Sequence, residues 1–206
     1  MRKERLETIA GRIAVTLIAL QLILILLSWI LDASSSAPTV NSLLSEEGTR
    51  WFIGHFTTFL ANPVLIWLLL LSIAWGTYRE SGIGDTMQMI IKGKKASYRQ
   101  RFSFHVSMII CFFLIVVVIL LTAIPHAILL SSTGSLFPSS FSAAIVPIIA
   151  FIITAVSVSF AIMVGKVKTV GEFMHILTSG IEYTLPLWVL YILFMQFFQS
   201  LRFVFM

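Results

Sequence analysis

Five long stretches of this chain are apolar and almost free of charge, and no other feature constrains its folding as strongly. A helix needs about 20 mostly apolar residues to cross a hydrocarbon core about 30 Å thick, because each residue rises about 1.5 Å. The stretches at residues 13–31, 61–78, 102–124, 141–164 and 183–204 meet that length. Composition agrees. Of 206 residues 58% are hydrophobic and 11% charged, against about 25% charged in an ordinary soluble domain. A water-soluble fold of this size has too much surface to hide such a chain, whereas lipid lets apolar side chains face outward. The expected fold class is therefore all-α: one integral membrane domain over 1–206, a polytopic bundle of about five transmembrane helices plus two interfacial helices.

Charge sets the expected orientation. Arg2, Lys3, Arg5 and Arg12 precede the first stretch. Arg79, Lys92, Lys94, Lys95, Arg99 and Arg101 lie between the second and third, and Lys166 and Lys168 between the fourth and fifth. The alternate segments hold only Arg50 and Arg202. Cations in short loops stay cytoplasmic, which puts the N-terminus inside and the C-terminus outside in a multi-pass protein of the inner (plasma) membrane. The same reasoning assigns the net charge of +5 to membrane orientation and not to nucleic acid. The basic start and the apolar run 13–31 have the order of a signal peptide, but the run exceeds the roughly 7–15 residues of a signal core. It reads as a retained helix.

The loops carry their own signals. Residues 32–39 are rich in Ser, Ala and Pro and read as irregular. Ser45 before Glu46 and Glu47 has the form of a helix start, with a hydroxyl for the free amides and acids for the dipole. Trp51, Phe52, Phe56 and Phe59 then crowd one side of a short helix expected at the outer interface. Val170, Phe173, Met174, Leu177 and Ile181 recur at helical spacing, predicting a second interfacial helix on the inner side. Residues 79–101 read as a basic loop. Pro63 and Pro186 fall near predicted helix starts, Pro147 early in the fourth stretch, and Pro125 ends the third.

Chemistry is sparse. No acidic residue lies inside the stretches at 13–31, 61–78 or 141–164, where buried charge would mark an ion path. His55, His105, His126 and His175 fall in loop helices or near span ends. A single cysteine, Cys111, allows no internal disulfide. Metal-ligand spacings, phosphate loops and nucleophile elbows are missing, so neither catalytic residue, metal nor cofactor is expected, and the chain does not read as an enzyme. Gln21, Thr154, Ser157, Ser159, Gln196 and Gln199 place polar groups at depth. Serine and threonine satisfy themselves on their own helix. Gln196 and Gln199, one turn apart, either join helices or line a substrate route. With Glu80, at the cytoplasmic end of the second stretch, they are the candidate substrate-path residues.

Two segments carry a family resemblance. The first is Asn41-Ser-Leu-Leu-Ser-Glu-Glu-Gly-Thr-Arg-Trp51, continuing through Asn62-Pro63 to Glu80-Ser81-Gly82. The second is Thr133-Gly-Ser-Leu136, Ile145-Val-Pro147, Gly165-Lys-Val-Lys-Thr169 and Gln196-Phe-Phe198. In that order they resemble the early and late parts of the aminobenzoyl-glutamate transporter (AbgT) family, over about half of the chain. The resemblance implies an inner-membrane carrier of aminobenzoyl-glutamate and related aromatic carboxylates, dimeric in the family. The chain is less than half the usual family length. It lacks the central helices and re-entrant hairpins in which the family's site is thought to lie, and Ser157 and Val158 stand near the place of a family "PG" step. A transporter of this kind would work only as a homo-oligomer or with a membrane partner protein, around a small carboxylate solute. The alternative is a non-transporting scaffold or regulatory subunit of a larger membrane complex.

The charge split yields a direct test. Reporter fusions after Lys95, Ser135 and Met206 should read cytoplasmic, external and external. A cytoplasmic signal at Met206 would remove the odd number of crossings.

Overall fold

The computed structural model describes residues 2–34, 40–94, 96–123 and 140–206. The expectations for Lys95, Pro125, His126 and Thr133-Gly-Ser-Leu136, and for most of the irregular segment 32–39, fall outside those residues. Among them there are seven helices and no strand: α1 (Arg2–Ser34), α2 (Glu46–Leu60), α3 (Pro63–Ser81), α4 (Ile83–Ile91), α5 (Tyr98–Ala123), α6 (Ser140–Val164) and α7 (Val170–Phe205). The chain is an all-α membrane protein. Helices α1, α5, α6 and α7 are each long and apolar enough to cross a bilayer, and α2 with α3, bent by 43° at a short break, meets the same criterion as a pair. Among the described residues four helices are thus long and apolar enough to cross, or five if the bent pair makes one span.

Three elements differ from the sequence expectation. Asp32, Ala33 and Ser34 continue α1 instead of opening a loop. The basic segment after α3 contains the nine-residue α4. The interfacial helix expected at residues 170–181 is not separate: it is the first third of α7, which runs unbroken for 36 residues and contains Pro186. The 36 residues of α7 exceed the roughly 20 that a helix needs to cross a hydrocarbon core. A proline inside a helix removes one N–H and crowds the preceding turn, but membrane helices tolerate this where neighbouring groups re-satisfy the backbone. Pro147 is likewise internal to α6.

The chain divides into two compact units, Met1–Ile66 with Thr184–Met206, and Trp67–Tyr183. In the first, Leu24, Leu43 and Val204 form the buried core, with Ile25, Val40, Trp51, Phe197 and Phe203 packed on it. Helix α1 buries little else. Ala10, Leu24 and Ser28 are buried and Ala14, Leu17 and Gln21 half-buried at helical spacing, while Val15, Leu22 and Trp29 are exposed. An apolar face turned outward is unstable in water and ordinary in lipid, where helix contact relies on small and polar residues. Gln21 donates from Nε2 to Ser200 Oγ at 3.0 Å.

In the second unit α5 packs along α6. Ile83, Val156 and Phe160 make the core, joined by Phe104, Ile110, Cys111 and Ile152. Ser103 and Ser107, one turn apart on α5, are buried, as are Ala150, Ser157 and Ala161 on α6. In the same unit α3 and α7 meet backbone to backbone. A Cβ on Gly180 would collide with the Ser72 carbonyl, and one on Gly76 with the Gly180 backbone nitrogen. The flanking hydroxyls turn back onto their own helices, Ser72 to Leu68 O at 2.6 Å and Ser179 to Ile176 O at 2.9 Å. Their polarity is thus met within each helix, and the Ser179 hydroxyl sits at the crossing itself, beside Gly76. Gly180→Ala should lower the thermal midpoint of the purified protein in micelles, an overpacking cost of about 1–3 kcal/mol. Gly11→Ala is the control: an added Cβ there meets open space, and alanine favours helix, so the midpoint should hold or rise.

Candidate functional site

The segment Asn41–Trp51 is a joint between helices. Ser28 Oγ on α1 donates to Ile25 O and accepts from the Leu43 N–H. Asn41 reaches the other way: its N–H donates to Val204 O at 3.1 Å and its Nδ2 to Phe203 O at 2.9 Å, closing carbonyls at the end of α7. Ser45 caps α2 as expected, its Oγ accepting from the Gly48 N–H at 3.0 Å. Gly48 lies so close to Ser42 that a Cβ would strike its carbonyl. Glu46 pairs with Arg50 one turn on, at 2.6 Å on the surface. Trp51 stacks on Phe203 with centroids 4.1 Å apart and meets Phe59 at 4.7 Å.

This joint shapes an open cleft of about 420 Å³ within the first unit, in the size range of small-molecule sites. Helix α7 presents Gln199, Arg202 and Phe203 on one face with Met206 just past its end, and α2 presents Trp51, Thr58 and Phe59, with Asn41 between. Aromatic walls with a guanidinium and an amide suit a planar anion. Arginine forks a carboxylate with two parallel bonds, and the rings offer stacking surface. Among the described residues no carboxylate pairs with Arg202, and no group of three potential metal ligands occurs.

The predicted path residues are divided between the two units. Gln199 lines the cleft. Gln196 is half-buried on α7 but is not part of the lining. Glu80 belongs to the other unit, half-buried at the end of α3, where its backbone carbonyl accepts from Lys166 Nζ at 3.0 Å. Beside it, Arg79 lies over the Tyr183 ring, 4.3 Å from its centroid. Asn41, Trp51 and Arg202 were not singled out as site residues by the sequence. A cation three residues after Gln199, on the charge-poor side, was the available signal.

The break between α2 and α3 is also satisfied by α7. Tyr191 Oη donates to Leu60 O at 3.3 Å, and Asn62 Oδ1 accepts from the Val64 N–H at 3.3 Å to start α3. Within the second family-like segment, residues 165–169 form helix ends in the other unit. Gly165, at φ +86°, closes α6, its N–H donating to Ile162 O while the Lys166 N–H donates to Ala161 O. That is a Schellman turn, which needs a left-handed residue. Thr169 and Glu172 then form a reciprocal cap on α7: Glu172 accepts from the Lys168 and Thr169 N–H groups, and Thr169 Oγ1 accepts from the Glu172 N–H.

Comparisons with protein-family models, with curated proteins and with solved structures find no match for this chain. Asn41→Ala removes the side-chain donor to Phe203 O while keeping the backbone bond. It should cost about 1 kcal/mol, seen as a lower thermal midpoint and faster amide exchange in the last turn of α7.

Proposed function

We propose that this chain binds aromatic carboxylates in the cleft of its first unit and takes part in their movement across the inner membrane, as one member of a homo-oligomer or with a membrane partner. The observation that carries this reading is Arg202 among Trp51, Phe59 and Phe203, with Gln199 beside it. That combination matches a ring bearing a carboxylate. The resemblance of the segments 41–51 and 165–169 to AbgT-type transporters supports the same solute class. The N-terminus is placed in the cytoplasm and the C-terminus outside, on the distribution of cations.

A partner enters on physical grounds. Uphill transport needs a site that binds a coupling ion and changes access with it, built from charged side chains or unwound backbone at mid-membrane. Helices α1, α5, α6 and α7 run without interruption over their described lengths, and the bent pair α2–α3 is the one broken candidate span among the described residues. The same continuity favours the second reading, a non-transporting subunit that scaffolds or regulates a larger complex.

Binding and transport separate these readings. The purified chain should bind aminobenzoyl-glutamate saturably by calorimetry. Arg202→Gln should weaken binding by at least about tenfold, the loss of a charge-assisted bond. Binding that ignored Arg202→Gln, or no saturable binding, would overturn the cleft assignment and leave the scaffold reading. In liposomes with an imposed proton or sodium gradient, the chain alone should not accumulate the solute. Reproducible accumulation would dispose of the need for a partner.

A further inference from the structure

The second unit holds an apolar cavity of about 160 Å³ behind α4, lined among others by Ile83 and Met87 from α4, Phe104, Met108 and Cys111 from α5, and Val156 from α6. The pocket is open on one side, and its apolar lining suits an apolar guest. Helix α4 is apolar toward the outside as well: Met87 is 47% exposed, Ile90 36% and Ile91 71%. A short helix with that composition is at home in the boundary between headgroups and acyl chains.

Cations stand at one end of this arrangement. The Gly93 N–H donates to Ile90 O and the Lys94 N–H to Met89 O, so α4 closes with Lys92 and Lys94 at its terminus, both exposed. A short connection leads from there to α5, where Arg101, also exposed, lies one turn before the cavity-lining Phe104. Acidic residues lie toward the other end: Asp85 is in the first turn of α4 and Glu80 at the end of α3. Cations beside an amphipathic helix attract anionic headgroups.

We propose that this face binds an anionic phospholipid, its phosphate held by Lys92, Lys94 and Arg101 and one acyl chain lying along α4 into the cavity. Charge complementarity selects this occupant. A zwitterionic lipid sets its own ammonium beside its phosphate and leaves the charge of the cations uncompensated, and a soluble anion leaves the cavity and the exposed isoleucines uncovered. The proposal uses none of the residues of the carboxylate cleft and stands whether or not that reading holds.

The test is lipid retention by the full chain, measured by native mass spectrometry after exchange into detergent with phosphatidylglycerol or phosphatidylcholine of matched acyl chains. Phosphatidylglycerol should be retained preferentially, and Lys92→Gln with Lys94→Gln should cut that preference by at least about tenfold. A second readout places the acyl chain. A fluorophore at Ile91→Cys in a Cys111→Ser background should be quenched more by acyl-brominated phosphatidylglycerol than by the brominated choline lipid. Equal retention of the two lipids would overturn the proposal, as would a preference unaffected by the lysine substitutions. Equal quenching by the two brominated lipids, or displacement of phosphatidylglycerol by inorganic phosphate, would do the same.

Discussion

A helix end in a membrane protein leaves carbonyls and amides that hydrocarbon cannot solvate, and much of this molecule is organised around closing them. Asn41 closes the end of α7, Ser45 the start of α2, and Thr169 with Glu172 the start of α7. At the other ends the donors come from distant cations. Lys166 reaches the Glu80 carbonyl of α3, and Arg99 Nε donates to Met163 O of α6 at 2.8 Å. The bonds of Asn41, Lys166 and Arg99 both satisfy a terminus and fix one element against another, whereas those of Ser45, Thr169 and Glu172 are local caps. The cleft in the first unit follows from the same bonds, because Asn41 and Ser45 set where Trp51 meets Phe203.

Satisfied ends would leave helices free to drift without contacts along their length. In lipid those contacts cannot come from apolar attraction alone, since lipid tails are as apolar as leucine. The structure uses close approach instead. Gly76 and Gly180 bring two backbones together, and the serines at 72 and 179 bond within their own helices. Along α5 the small residues Ser103 and Ser107 are buried, while Ile109, Phe112 and Phe113 remain more than half exposed.

Helix content and the apolar spans inside α1, α5 and α6 were legible because twenty-residue apolar runs admit few alternatives. The cap at Ser45 was legible because its chemistry is local. What escaped the sequence has a common cause. Amphipathicity separates faces by polarity, but α1 is apolar all round over residues 13–31 apart from Gln21, so nothing in its pattern marked Leu24 and Ser28 as the protein side. The continuity of α7 was hidden by Pro186, a residue that ends helices in water and is tolerated in a bundle. Helix α4 was masked by the cations that follow it. The cleft combines distant segments, and of its lining only Gln199 was a candidate path residue.

The basic residues at the helix ends have a second history. During insertion a cation acts through its charge alone, holding its loop on one side of the bilayer. After folding, Lys166 and Arg99 act through directed N–H groups on particular carbonyls. The same side chain is thus read twice, first by the insertion machinery as a sign and then by the folded chain as a geometry. An exchange of lysine and arginine preserves the first message and alters the second, whereas glutamine erases the first and keeps a donor. These two kinds of substitution therefore separate the history of the chain's threading from the energetics of its final form.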